Sequence, residues 1–300
     1  MIKKFIRVLS NKYPLILKAL TLLNILTLPQ KLYIDYHIKK GSIPQLNGDK
    51  EVFIVSLTSH KNRVAGTLPY TLWTLLNQSR KPDKIIVWLD ETKWNANNIP
   101  SKLKVLEKGG VEFNFCKDIG SYTKLVPALR AFPNCVIITA DDDLYYPKNW
   151  LKQLAGAYAN DPKKIQIHRA HEIVGKISST EIAPYSDWKH AVKKTLHPER
   201  LFLTGVGGVL YPPNSLGKEG TNEEVFLLLS PKGDDIWFWA CAKANGTEFS
   251  LVKNGYRKLK YINIADELSG LTVENVVNNR NDTQIKAVIG YFSLKNSFGG

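Results

Sequence analysis

From residue 51 the chain alternates short apolar runs with stretches whose leucines recur at helical spacing. Residues 52–57 are almost continuously apolar and predict a first strand, ending in the polar loop Thr58-Ser59-His60-Lys61-Asn62-Arg63. Leu68, Leu72, Leu75 and Leu76 then repeat as one face of a helix. Residues 85–89 predict a second strand that ends at Asp90, and a helix around residues 102–108 stops at Gly109-Gly110, a usual terminator. Residues 111–116 predict a third strand, followed by a helix face at Leu125, Leu129 and Phe132. In the fourth run, residues 135–140, five of six residues are apolar and three are β-branched aliphatics, which reads as a fully buried strand. Leu151, Leu154, Ala155 and Tyr158 mark the helix after it. Strands buried on both faces and separated by helices imply an α/β fold with a mainly parallel central sheet covered on both sides.

The candidate chemistry sits where that fourth strand ends. Asp141-Asp142-Asp143 follows it directly, and three adjacent carboxylates repel one another at neutral pH. A divalent cation, Mn²⁺ or Mg²⁺, is the usual way to offset such repulsion. Open α/β sheets bind ligands at this same carboxyl end. An extended chain would project Asp141 and Asp143 to one side, able to share the ion, and Asp142 to the other. A second acidic pair, Asp234-Asp235, opens the helix-like run of residues 236–242. The two groups together point to an enzyme acting on a phosphorylated substrate. Either group could instead cap a helix.

Composition narrows the class. At 300 residues, 44% hydrophobic and 23% charged, the chain has the make-up of a globular protein. Cys116, Cys135 and Cys241 are far apart and form no CxxC pair, so neither a disulfide framework nor a thiolate zinc site is expected. The net charge is +14, and residues 1–50 carry half of it, nine basic residues against Asp35 and Asp49. The apolar stretch from Leu15 to Leu28 includes Lys18 and is too short for a confident bilayer span. No small-residue cleavage site follows it. Two readings stay open for residues 1–48: an interfacial helix with Lys3, Lys4, Arg7 and Lys12 facing anionic headgroups, or a helix packed on the catalytic domain. No binding motif interleaves aromatics with the basic residues, so a nucleic-acid partner is not expected.

The succession of features is similar to that of bacterial family-2-type nucleotide-sugar glycosyltransferases of the GT-A fold, which build surface polysaccharides. The features are a strand with a polar loop, a strand ending in Asp90, the segment from Asp118 through Lys124 to Leu125, an apolar strand into the Asp run, and the acidic pair before Ile236-Trp237-Phe238. The resemblance spans roughly residues 50–245. It implies a Rossmann-like GT-A domain over residues 49–265 and leaves residues 266–300 as a tail that could close over the site. It further implies Asp143 as first metal ligand with Asp141 beside it. Asp141 and Asp142 would lie near the donor ribose and diphosphate. Asp235 would act as catalytic base with Asp234 orienting it, giving a single displacement with inversion. The donor would be a nucleotide sugar, most simply a UDP-sugar. The acceptor would be a glycan or lipid-linked glycan at the cytoplasmic face of a bacterial inner membrane, as in lipopolysaccharide, O-antigen or capsule synthesis.

Other residues are candidates on their own chemistry. Thr58, Ser59 and Arg63 offer hydroxyls and a guanidinium to the nucleotide, Asp90 could accept from the base, and Lys124 could meet a phosphate or Asp143. The resemblance places Gly207 and Gly208, in the glycine-rich run of residues 205–212, at the floor of the donor-sugar and acceptor pocket with Trp237 alongside; glycines there let backbone approach a ligand, or simply make a tight turn. His168, Arg169 and His171 could face that pocket, though their spacing matches no helical zinc site. Tyr185, Trp188 and Tyr211 could stack on sugars in a transferase or a lectin-like binder. A haloacid-type phosphatase would not place Leu144 and Tyr145 after the motif. A nucleotidyltransferase shares the sheet and metal logic but usually opens with a glycine-rich loop, which residues 56–60 lack. A non-catalytic membrane-surface protein is the remaining alternative, and it predicts lipid binding without sugar-nucleotide chemistry.

Overall fold

The computed structural model describes residues 14–46, 52–175, 181–252, 259–263 and 280–294, with side chains from residue 27 onward. A long helix, α1 (Pro14–Lys40), precedes the sheet. Strands β1 (Phe53–Thr58), β2 (Lys84–Asp90), β3 (Val111–Cys116) and β4 (Val136–Thr139) follow the sequence pattern closely. Between them lie α2 (Arg63–Gly66), α3 (Leu68–Leu76), α4 (Ser101–Glu107) and α5 (Val126–Ala131). After the acidic triplet come β5 (Leu144–Tyr145), α6 (Trp150–Asn160), β6 (Ile165–Ile167), β7 (Ala170–Glu172), β8 (Leu201–Leu203) and β9 (Val209–Tyr211). The remainder is α7 (Glu223–Leu229), α8 (Asp234–Ala244), β10 (Phe249–Leu251), β11 (Lys260–Tyr261) and α9 (Arg280–Tyr291).

Seven strands form one sheet in the order β10-β6-β9-β4-β1-β2-β3. All neighbours are parallel except β9, which runs antiparallel between β4 and β6. Strand β1 is the pivot: the chain winds outward to β2 and β3 on one side and begins the other side at β4. That reversal opens a crevice at the carboxyl ends of β1 and β4, the place where open α/β sheets take their ligands.

Alternation along β1 explains why both faces are covered. Ile54 belongs to one core cluster with Ile86 and Ile137, while Val55 and Leu57 belong to the other with Ile85, Val87 and Ile138. Helices α3, α4 and α6 supply Leu72, Leu103 and Leu151 to the second cluster; α5, α7, α8 and α9 supply Val126, Phe226, Trp239 and Val288 to the first. Trp237, Phe238 and Trp239 of α8 are all essentially inaccessible, each worth about 2–3 kcal/mol of apolar burial. This helix is buried nearly all round, so its first turn is held rigidly against the sheet.

Helix α1 continues well beyond the apolar stretch expected of it. Its last turns lie on the domain, with Ile34 and Ile38 buried in the second cluster. Asp35 accepts from Lys102 Nζ at 2.7 Å and from the Tyr70 hydroxyl at 3.1 Å. Among the described residues no helix is long and apolar enough to cross a membrane. Lys3, Lys4, Arg7 and Lys12 lie outside the described residues, as does most of the tail at 266–300. The described part of that tail, α9, packs against α8 through Ile285, Val288 and Ile289.

Candidate active site

The acidic triplet leaves the sheet by bending. Strand β4 stops at Thr139, and the chain turns at Asp142 and Asp143 before β5. It is not extended there, so Asp141 and Asp143 do not form the same-side pair that a continued strand would give. Arg63, at the start of α2, instead grips two neighbours: its Nη1 donates to Asp142 Oδ1 at 2.9 Å and its Nη2 lies 3.0 Å from Asp143 Oδ2. Ser59 Oγ donates to Asp142 Oδ2 at 2.6 Å. The loop after β1 thus holds the triplet, and two of the residues expected at the nucleotide, Ser59 and Arg63, sit on it.

Asp141 turns the other way, toward Lys124. Lys124 Nζ stands 3.0 Å from Asp234 Oδ2 and 3.9 Å from Asp141 Oδ1, bridging the two acidic groups of the sequence. The lysine is placed from the sheet. Trp88 Nε1 donates to Ser56 Oγ at 2.9 Å, and that hydroxyl donates to the Lys124 carbonyl at 2.6 Å. Burial opposes its ammonium, but attraction to Asp234, Asp141 and Asp235 outweighs burial and raises its pKa well above the ordinary lysine range.

Asp235 is held by backbone. The Gly205 N–H donates to its Oδ1 at 2.9 Å. A Cβ built on Gly205 would lie 2.7 Å from Lys124 Nζ and 3.0 Å from Asp235 Oδ1, so a side chain here would push both charged groups from their present places. Burial, reinforced by repulsion from Asp234, pushes the Asp235 carboxyl up to about 7, against the pull of Lys124 and the Gly205 N–H. Burial likewise pushes Asp141 up to about 7, offset by Lys124 and reinforced by Asp143, Asp142 and Asp234. Two carboxylates poised near neutrality beside a shared cation can exchange protons at ordinary pH.

The donor set can be tested against a divalent ion. Asp142 has both oxygens engaged, whereas Asp141 Oδ2 is buried without a hydrogen-bond partner. Among the described residues no group of three or more His, Cys, Asp or Glu could hold a metal by itself. Mg²⁺ and ions like it commonly take only one or two carboxylates and complete their shell with water and substrate phosphates. Asp143 offers hard oxygens of that kind, with Arg63 standing as a competing cation, while Asp141 faces Lys124 and so does not pair with Asp143.

Several predicted residues lie apart from this cluster. Thr58 Oγ1 donates to the Trp88 carbonyl at 2.8 Å, within the sheet. Asp90 closes a turn, accepting from the Thr92 N–H at 3.0 Å, the Thr92 hydroxyl and Lys93; these bonds, Lys93 first, hold its carboxyl down at about 2. Trp237 is wholly buried and donates Nε1 to the Glu219 carbonyl at 3.2 Å. Gly207 occupies the third position of a turn closed by Gly208 N–H to Gly205 O at 2.9 Å, and its φ of 99° fits a type II turn. Its carbonyl accepts from Trp150 Nε1 at 2.6 Å. His168 and His171 are buried, and burial lowers their pKa values to about 4 and about 3, so both are neutral. Trp188 is a core residue packing on Phe202, whereas Tyr211, also buried, lies close enough to Asp235, Lys124 and Asp234 to feel their charges and so borders the cluster.

From sequence, Tyr146 and Ser56 carried no role, and Gly205 was marked only as part of a glycine-rich run. Tyr146 places its hydroxyl oxygen 2.7 Å from the Asp141 N–H and so fixes the start of the triplet. Its position just past the acidic run was the available signal. Ser56 sits in an apolar strand where one polar residue, fully buried, must have a partner. Gly205 was indistinguishable from its neighbouring glycines.

No family model matches the chain, and no curated protein matches it in sequence. Similar solved structures exist at low identity. A crystal structure of S. aureus TarS 1-349 is 14% identical with a TM-score of 0.44, covering 82% of this chain and 74% of that one. A second TarS crystal structure gives 15% and 0.47, covering 83% and 45%. The crystal structure of 4-diphosphocytidyl-2C-methyl-D-erythritol synthase gives 12% and 0.41, covering 76% and 98%. The strand order itself, with one antiparallel strand set into a parallel sheet, gives the chain a Rossmann-like α/β fold of GT-A type.

Proposed function

We propose that the protein transfers a sugar from a nucleotide-sugar donor, most simply a UDP-sugar, to a glycan or lipid-linked glycan acceptor. The observation that carries the proposal is the meeting of Asp141, Asp234 and Asp235 around Lys124 at the carboxyl end of the sheet. Asp235 takes the proton of the acceptor hydroxyl. Its raised pKa matches that task near neutral pH, and the Gly205 N–H fixes the direction of its lone pairs. Asp234 keeps Lys124 beside it. Inversion follows if attack and departure occur in one displacement, as the resemblance implies.

Asp143 would hold a Mn²⁺ or Mg²⁺ ion, joined by Asp141 only if its side chain turns from Lys124; the ion would supply charge neutralisation at the leaving diphosphate when bound. Arg63 and Lys124 add fixed positive charge on either side of that position. Ser59 and Arg63 keep Asp142 from competing for the ion. The acceptor would belong to surface polysaccharide synthesis at the cytoplasmic face of a bacterial inner membrane, as the resemblance implies.

The test is a panel of nucleotide sugars and nucleoside triphosphates, scored by Mn²⁺-dependent rise in melting temperature. A ligand that binds only the folded state stabilises it. A rise with a sugar nucleotide, lost in Asp143→Ala, supports the proposal. A rise confined to nucleoside triphosphates would favour a nucleotidyltransferase, and no rise with any nucleotide would favour a binding protein.

A further inference from the structure

We propose that the outer face of α1 is a docking surface for an anionic lipid bilayer. The inference takes up the membrane location proposed above and does not depend on the transfer reaction. Leu28, Leu32 and Tyr36 stand at i, i+4 and i+8 and form one stripe, with Tyr33 beside it. They are 45%, 59%, 60% and 56% exposed, an unusual density of large apolar groups for one helix surface.

The stripe is exposed because the helix is already docked by its opposite side. Ile34 and Ile38 are buried against the domain, and Asp35 is tied to Lys102 and Tyr70 at the edge of that contact. Lys31 Nζ donates to Asn263 Oδ1 at 2.9 Å, a further tie to the domain. The helix therefore cannot roll to hide its leucines without giving up that interface.

Charge selects the occupant. Lys39 and Lys40 are exposed at the end of the stripe, and Lys40 Nζ lies 5.9 Å from the Tyr36 ring centre. Asp35 is the one acidic residue between positions 14 and 40, and it is engaged on the inner side. Residues 1–50 hold nine basic side chains against two acidic. Leucines and tyrosines at the acyl boundary with lysines at the phosphates match an interfacial helix on anionic phospholipid. Tyrosine is well suited to that boundary, with an apolar ring and a polar tip.

The experiment uses the full chain with vesicles of phosphatidylglycerol and phosphatidylcholine, or of phosphatidylcholine alone, in a sedimentation assay. Size-exclusion chromatography and a melting curve accompany each variant. The protein should bind the anionic vesicles and bind less at high salt. Leu32→Ser combined with Tyr36→Ser should lower the partition coefficient roughly tenfold or more, since two apolar side chains leave the acyl boundary. Leu196→Ser, at a still more exposed leucine far along the chain, should leave it unchanged. Absence of vesicle binding by the full chain overturns the proposal. So does unaltered binding by a folded double variant, and a double variant that only dissolves a dimer assigns the face to a second copy. Sugar-nucleotide stabilisation is read separately, so either result stands without the other.

Discussion

Replacing Lys124 by methionine tests the electrostatic heart of the site. The ammonium lies 3.0 Å from Asp234 and 3.9 Å from Asp141, and its side chain is 13% exposed. At an effective dielectric constant of about 20 these pairs are worth roughly 5 and 4 kcal/mol before desolvation. Desolvation of the ions takes back much of that, and removing one partner of a buried pair typically costs about 3–5 kcal/mol because the other charge stays behind. We expect a loss of that size in the metal-free protein near pH 8. The sign with pH follows from the carboxyls that remain. Asp141 and Asp235 have folded-state pKa values raised to about 7, above the ordinary aspartate value, so the folded state binds more protons than the unfolded one between about pH 4 and 7. Stability from these two groups is highest at low pH and falls as pH rises through that window. Without Lys124 their ionised forms are further disfavoured, so the variant's deficit should be smaller by at least about 1 kcal/mol near pH 5 than near pH 8. Guanidinium chloride denaturation followed by circular dichroism, in chelator at the two pH values, measures both quantities. An equal deficit at both, or a larger one at the lower pH, refutes the reasoning.

Asp235→Asn should keep donor binding but lower turnover by roughly 10²–10⁴-fold, and the wild-type rate should rise with pH through about 7; steady-state assays across pH check both. Arg63→Ala removes the cation that competes at Asp142 and Asp143, so the Mn²⁺-induced rise in melting temperature, without donor, should be larger than in the wild type; a smaller rise refutes that competition. Gly208→Ala should destabilise by about 2 kcal/mol or more, because φ is 92° and the new Cβ would meet the Trp150 ring at 2.5 Å; urea titration reads this directly.

The sheet was legible because β1, β2 and β4 are buried on both faces and therefore read as unbroken apolar runs. The two acidic groups were legible as clusters. Their meeting was not, since Lys124 connects Asp141 to Asp234 through a fold contact without local periodicity. The side-by-side pairing expected of Asp141 and Asp143 assumed a strand that ends at Thr139, and the bend that follows regroups the triplet. Strand β9 was equally hidden, because three residues after a glycine turn carry no sign of an antiparallel insertion between β4 and β6. Asp90 shows the converse: a carboxylate at a strand end, in the expected place, whose partners are its own turn.

Residues after β10 reach back to both walls of the crevice. The Ile262 N–H donates to the Asp143 carbonyl at 2.9 Å, while Gln284 Oε1 accepts from the Lys232 N–H at 3.1 Å, two residues before Asp234. Asp282 accepts from the Tyr185 N–H at 2.7 Å on the same side. A truncation ahead of β11 would therefore strip the outer brace from each wall while leaving the central strands intact. Such a shortened chain should keep its secondary structure and lose the alignment of its carboxylates, a separation of folding from competence that C-terminal deletions would expose.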